Sequence, residues 1–162
     1  MLRLSKKSDY ALMAVRHLAL RADRGGSASA REMAEAHDIP VELLAKVLQR
    51  LVRTKLLVSV QGTRGGYRLA RPSNTISVAD VIQAVDGPVT VTACSPNDHE
   101  CDQYDKCSIR DPLWKIKGRI LEVLSTVTVA EMARDSETAA PAPTPTHTVS
   151  RMLFVPPAGE PR

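Results

Sequence analysis

Three cysteines, Cys94, Cys101 and Cys107, fall within 14 residues and carry the sharpest chemistry in the chain. Thiolates on one irregular segment can converge on a single centre, and soft sulfur donors select zinc, Cu(I) or an iron–sulfur cluster. Structural zinc sites commonly use close pairs of the form Cys-x2–4-Cys, whereas the gaps here are six and five residues. That spread suits ligands placed around a larger inorganic core, an iron–sulfur cluster of two or four irons. An odd number of cysteines argues against a disulfide framework, and thiols in a polar loop are costly unless their chemistry is used. No fourth cysteine completes the set. His99, Asp98, Asp102 and Asp105 are local candidates, and a residue donated from elsewhere, another subunit included, is a further one. The Cys-x-x-Cys spacing of thiol oxidoreductases is absent, as is any paired acid/base or nucleophile constellation, so the chain reads as a non-enzyme.

A second signal is the distribution of charge. The 162 residues carry a net charge of +4, but residues 1–76 hold fourteen Lys/Arg against six Asp/Glu, a balance of +8. The remainder holds eight against twelve, a balance of −4. Basic charge gathered in one half is the footprint of a nucleic-acid-binding module. Apolar residues make up 43% and aromatics only 3%, so the core is built from Leu, Val, Ile, Ala and Met, a composition that favours packed helices. Charges at positions 3, 6, 7, 9 and 16 break any signal-peptide core, and no apolar run reaches 18 residues. Neither a signal peptide nor a membrane span is expected, which places the protein in the cytoplasm.

The elements that must position these residues follow from local signals. Ser5 caps a helix over about 6–22 with Tyr10, Met13, Ala14, Val15 and Leu18 as its apolar stripe. Gly25-Gly26 ends it. Ser29 and Glu32 form a capping box for a short helix over 29–37. Pro40 starts a third helix to about Thr54, with Val41, Leu44, Val47, Leu48 and Leu51 at helical spacing. The period then changes. Leu56–Val60 and Tyr67–Ala70 flank the glycine-rich run 61–66, which predicts a β-hairpin. Three helices and a hairpin make a winged helix-turn-helix: a mainly α fold with a small β wing. Ser77 and Asp80 cap a helix over 78–86 that Gly87-Pro88 stops. Residues 89–107 read as a loop holding the cysteines. Asp111 caps a long helix to about 125, with Pro112 at its first position and Leu113, Ile116, Ile120, Leu121, Val123 and Leu124 as its stripe. Thr128 and Glu131 cap a last short helix. From Asp135 onward, six of the eleven prolines fall among Thr and Ala, a composition that predicts a disordered tail. The chain therefore divides into a DNA-binding domain over 1–76, a cluster loop with long helices over 77–134, and the tail over 135–162.

In a helix-turn-helix the second helix of the motif enters the major groove of double-stranded DNA. Its outward candidates here are Glu42, Leu43, Lys46 and Arg50. Glu42 could accept from a cytosine amino group and Leu43 could touch a thymine methyl. Lys46, Arg50 and Arg53 suit phosphates, as do Ser29 and Arg31 at the start of the preceding helix. Arg64, flanked by glycines at the wing tip, could enter a narrow minor groove.

Several segments together resemble a known family, the winged-helix regulators typified by IscR, with the nitric-oxide sensor NsrR and the SUF-operon regulators as relatives. They are Leu4–Leu12, the wing Gly62–Tyr67, Ile76–Ile82, the triple-cysteine loop and Thr126–Glu131. The resemblance implies a homodimer built on the long helix, with the cluster loop near the partner's first helix. Gly118 would permit close helix approach there and Trp114 would extend the contact. It also implies an operator-binding regulator that senses iron–sulfur status, iron, redox state or nitric oxide, controlling iron–sulfur assembly or stress genes. IscR-like members place a histidine ligand where this chain has Arg110. NsrR-like members use an aspartate in the partner's first helix, and the matching residue is Asp9. Gln61 stands where many members carry a wing arginine. The alternative is a zinc-bound or cofactor-free regulator answering a metabolite or protein partner.

Overall fold

The computed structural model describes residues 4–22, 26–62, 65–89 and 106–138. Ser5 Oγ accepts the Ser8 amide at 3.2 Å and opens α1 (Lys6–Leu20). Its buried face is Ala11, Ala14, Val15 and Leu18, spaced 3, 4 and 7 apart. Met13, expected in the stripe, is 43% exposed instead. At 100° per residue it lies on the far side from Val15, and the smaller Ala11 fills the core position.

Ser29 Oγ accepts the Glu32 amide at 3.1 Å and opens α2 (Ala30–Ala36). The reciprocal arm of the expected capping box is not made: the Glu32 carboxylate pairs with Arg21 at the end of α1. A charged donor outcompetes a backbone amide for that carboxylate. Asp38 takes a left-handed φ of 52°, which lets the Ile39 amide return to Ala34 O at 3.0 Å and close the helix. Pro40 then launches α3 (Val41–Arg53), closed in the same way by Lys55 (φ 59°) and a Leu56 amide bond to Leu51 O.

β1 (Leu57–Val60) pairs antiparallel with β2 (Gly66–Leu69), Leu57 opposite Leu69 and Val60 opposite Gly66. Tyr67 also exchanges two backbone bonds with Ala28, at 3.0 and 2.9 Å, so the wing is fastened to the start of α2. Only glycine fits at 66, because a Cβ there would lie 2.4 Å from Ala28 O. After a short 3-10 turn, Ser77 and Asp80 form a complete capping box for α4 (Val78–Asp86). Gly87, with φ +84°, turns the chain out of it.

α5 spans Arg110–Thr126 and starts two residues earlier than Asp111 and Pro112 suggest. Ile109 occupies the cap without a side-chain bond, and the Leu113 amide closes on Ile109 O. The first-turn amides of a helix have no partner within it, so Pro112 is tolerated inside that turn as well as at its first position. Thr128 and Glu131 cap each other's amides and open α6 (Val129–Thr138), which runs four residues into the segment read as tail. Residues 139–162 lie outside the described residues. Val78 and Val127, with Val129 and Ile76, bond backbone to backbone at 2.9 Å, which ties the start of α6 to the start of α4. Arg16 Nε donates to Met132 O and draws α6 onto α1.

The core gathers Leu18, Met33, Leu44, Leu48, Leu51, Leu57, Ile76, Val81, Val85 and Val129, all under 2% exposed or nearly so. Each buried side chain of this size contributes about 1.5–3 kcal/mol. Every helix but one supplies the core cluster or packs at its edge. α5 has no buried residue at all.

Candidate nucleic-acid interface and cysteine segment

α3 separates its two faces cleanly. Leu44, Val47, Leu48 and Leu51 are buried, while Glu42, Leu43, Lys46, Gln49, Arg50 and Arg53 are exposed; Val41, expected in the apolar stripe, is 44% exposed at the first position of the helix. Leu43 is 48% exposed, one turn before Lys46 on the same helix face. Gln49 was not singled out from the sequence. Its place three residues after Lys46 puts it on the same exposed face, and its amide could bridge adenine N6 and N7. Arg31 is exposed and bonds Glu35 Oε1 at 3.0 Å, one turn along α2. Such an open pair contributes only about 0.3–0.5 kcal/mol, so Arg31 can exchange it for a phosphate. Ser29 is occupied as the cap of α2. Gln61 is exposed at the end of β1, and Arg64 lies outside the described residues.

Arg50 has a second role that its position in the sequence does not reveal. Its Nη1 donates to Val85 O in the last turn of α4 at 2.6 Å. A cation at a helix C-terminus meets carbonyls without helical partners, a favourable contact. One residue on, Asp86 Oδ2 accepts from the hydroxyl of Ser8, the sole buried polar residue among those described, at 2.7 Å. Partial burial pushes the Asp86 carboxyl up, but hydrogen bonds from Ser5 and Ser8 and the charges of Lys7 and Arg50 outweigh it and hold the group below its ordinary value. The end of α4 is thus fastened to the exposed helix α3 and to the first turn of α1.

Asp9 follows Ser8 directly and is half-buried. Along α1 it shares a face with Met13 and Leu20, 43% and 40% exposed. Cys107 is half-buried, three residues ahead of α5, with a free thiol. Cys94, Cys101 and the local candidates Asp98, His99, Asp102 and Asp105 lie outside the described residues. Among the described residues no three His, Cys, Asp or Glu side chains converge. Arg110 bonds Asp111 Oδ1 at 3.0 Å; a guanidinium has no lone pair to give and cannot be a ligand. Arg110 therefore removes the histidine alternative at that position.

α5 presents Ile109, Ile116 and Val123, at intervals of seven, 61%, 50% and 59% exposed. Gly118 lies on the opposite, polar face with Asp111, Lys115 and Glu122, and a Cβ there would meet nothing within 4 Å. The close approach expected at Gly118 is not made within the protomer.

Comparison with known proteins places this arrangement. Residues 4–135 match the profile of the Rrf2 family, described as iron-dependent transcriptional regulators. The HTH-type transcriptional regulator IscR of Sodalis glossinidius (strain morsitans) is 36% identical over 137 residues, covering 84% of this chain and 81% of that one. A putative HTH-type regulator of Azotobacter vinelandii is 35% identical over the same length, covering 84% and 82%. Among solved structures, T. potens IscR matches with a TM-score of 0.67 at 30% identity, covering 85% of this chain and 90% of that one. CymR, the global cysteine regulator of B. subtilis, gives 0.69 at 24% identity over 83% and 98%, a likeness of fold. These relatives are regulators of transcription, not enzymes, and no helix among the described residues is long and apolar enough to cross a membrane. With its three helices, hairpin wing and matched length, the chain belongs to the Rrf2 family of helix-turn-helix transcriptional regulators and is similar to IscR.

Proposed function

We propose that the protein is a homodimeric regulator whose affinity for operator DNA is set by an iron–sulfur cluster held by Cys94, Cys101 and Cys107, with Asp9 of the partner subunit as fourth ligand. In this reading residues 1–76 bind DNA in the cytoplasm, 77–134 carry the cysteine segment and the dimer helix, and 135–162 form a tail. The observation that carries the reading is where the cysteine segment leaves and re-enters the fold. It departs from α4, whose last turn holds Arg50 of α3 and Ser8 of α1, and returns through Cys107 into α5.

When bound, a cluster supplies an iron corner at the carboxylate, a harder and weaker partner than thiolate, where oxygen, nitric oxide or iron shortage can act. The chain's own residues do the rest. Asp9 adjoins Ser8, so a pull on Asp9 bears on the turn that Ser8 fastens to Asp86. Arg50 extends that fastening to the reading helix. Half-sites lie about one turn of duplex apart, so a small rotation of two such helices alters affinity by about 1–3 kcal/mol, a common coupling. Ile109, Ile116 and Val123 supply a seam of seven-residue period for α5 of a second copy. The exposed Met13 and Leu20 beside Asp9 offer a flank for that copy's cysteine segment.

The test uses full-length protein purified without air and a duplex enriched by it from a random library. Brown protein containing iron and sulfide is expected, with duplex affinity that changes when iron is removed. Replacing all three cysteines by serine abolishes the colour and makes affinity indifferent to iron, and Asp9→Ala weakens cluster retention. Colourless, zinc-loaded protein whose duplex affinity ignores the triple replacement would sink the scheme and establish the zinc-bound or cofactor-free alternative.

A further inference from the structure

A cleft of about 350 Å³ opens between the first turn of α1 and the exposed face of α3. Lys6, Lys7, Lys46 and Arg50 rim it, Tyr10 and Leu43 supply its apolar wall, and no carboxylate lines it. We propose that this cleft is part of the DNA interface: Lys6 and Lys7 hold phosphates of the strand that borders the groove read by α3, and Leu43 meets the apolar edge of a base on that strand. The proposal deepens the operator-binding reading above by extending the contact surface to α1, outside the helix-turn-helix.

Three observations converge on a polyanion with apolar parts. First, like charges from two helices that are separate in sequence are brought to one cleft; Asp86 behind it offsets Lys7 and Arg50 only in part, and the rest repel unless an anion joins them. Lys6 and Lys46 have no hydrogen bond or ion pair among the described residues, and Lys7 only lends its charge to Asp86. Second, both lysines of α1 stand at the end where the helix dipole disfavours cations, so folding alone gives no reason for them. Third, Leu43 leaves half its surface open between these cations, and a lone phosphate has no use for it. A nucleic-acid strand does, since it offers phosphate and apolar base edge within one nucleotide. The same turn of α1 carries Asp9, about 60° round the helix from Lys6 and about 100° from Tyr10. The proposed ligand and the phosphate contacts thus share one rigid turn.

The experiment measures affinity of the full chain for the duplex it enriches, across a series of salt concentrations. Lys6→Gln/Lys7→Gln is expected to reduce the slope of log affinity against log salt by about 0.9 for each phosphate contact removed, while the enriched sequence stays the same. Lys6→Arg/Lys7→Arg restores the slope. Leu43→Ala leaves the slope alone and relaxes base preference at one position. Lys115→Gln, on the polar face of α5, changes neither. A wild-type slope in the double glutamine variant would overturn the proposal while leaving operator binding intact. Failure of the wild type to enrich any duplex would overturn both.

Discussion

The reading head and α5 are held together in opposite ways. From α1 to α4 three of the four helices open on a serine cap, and the core residues are almost wholly excluded from water. α5 is seventeen residues long and buries none of them, yet it and its cap carry three large apolar side chains at least half exposed, Ile109, Ile116 and Val123. The head is stabilised by its own contacts. The helix is stabilised by its backbone and a partial seat on α4, and its apolar line awaits a surface of matching length. The difference teaches where the protein is a finished object and where it leaves an apolar line uncovered.

Two variants break the comparison from either side, and the first has the largest effect. Leu48→Ala, in the centre of the head, removes a fully buried side chain and is expected to cost about 2–5 kcal/mol. Urea denaturation followed by far-ultraviolet dichroism measures it. Ile116→Asp/Val123→Asp, on α5, is expected to leave hydrogen-exchange protection of α1 and α3 unchanged while halving the mass in sedimentation. If the α5 variant unfolds the head instead, the two regions are not independent. If it leaves the mass unchanged, the exposed line is not the dimer seam.

What the sequence discloses follows the same division. The bounds of α4 are legible because Ser77, Asp80 and Gly87 all act within a few residues of the helix they delimit. The exposed face of α3 is legible because binary patterning fixes it, so most of the candidate DNA-reading residues stand where the 3.6 period puts them. The start of α5 misleads because a proline obeys the rules anywhere in a first turn. The Glu32 carboxylate misleads because its competing partner, Arg21, belongs to another helix. Arg50 reads as a phosphate contact, and its bond to Val85 O joins residues 35 apart, a distance no local rule spans. The same holds for Lys6 and Lys7, which join α3 only in space. A ligand set shared between Asp9 and the cysteines of a second copy is further still from any local signal, and only the resemblance suggests it.

A smaller effect sharpens the claim that the head is self-contained. His17 Nδ1 lies 3.1 Å from His37 Nε2, an imidazole pair between α1 and the turn into α3, and His17 Nε2 is buried without a partner. Burial, then the charges of Arg21 and His37, lower the His17 pKa below its ordinary 6.5; Glu32 opposes them and Arg16 adds to them. The unfolded chain therefore binds more protons between the folded value and 6.5. Stability is complete above that window and is lost as pH falls through it. Glu32 and Asp86 are also held low, but from ordinary values of 4.5 and 3.8, so their losses come at lower pH. Urea midpoints are expected to fall as pH drops from 7.5 to 5, and His17→Gln is expected to flatten that fall. A slope that survives the substitution assigns the titration elsewhere.

The smallest effect tests the direction of the α5 seam. Gly118 lies on the face away from Ile116, and an added Cβ would touch nothing. Gly118→Ala should then act through the backbone alone, stabilising the helix by up to about 1 kcal/mol without altering the dimer's dissociation constant. A glycine used for close helix approach gives the opposite result, since the methyl would push two backbones apart. Sedimentation across a dilution series separates the two. Tighter or equal association with a raised melting temperature keeps the seam on Ile109, Ile116 and Val123. Weaker association would move the contact round the helix to Gly118 and leave the apolar line for a different partner.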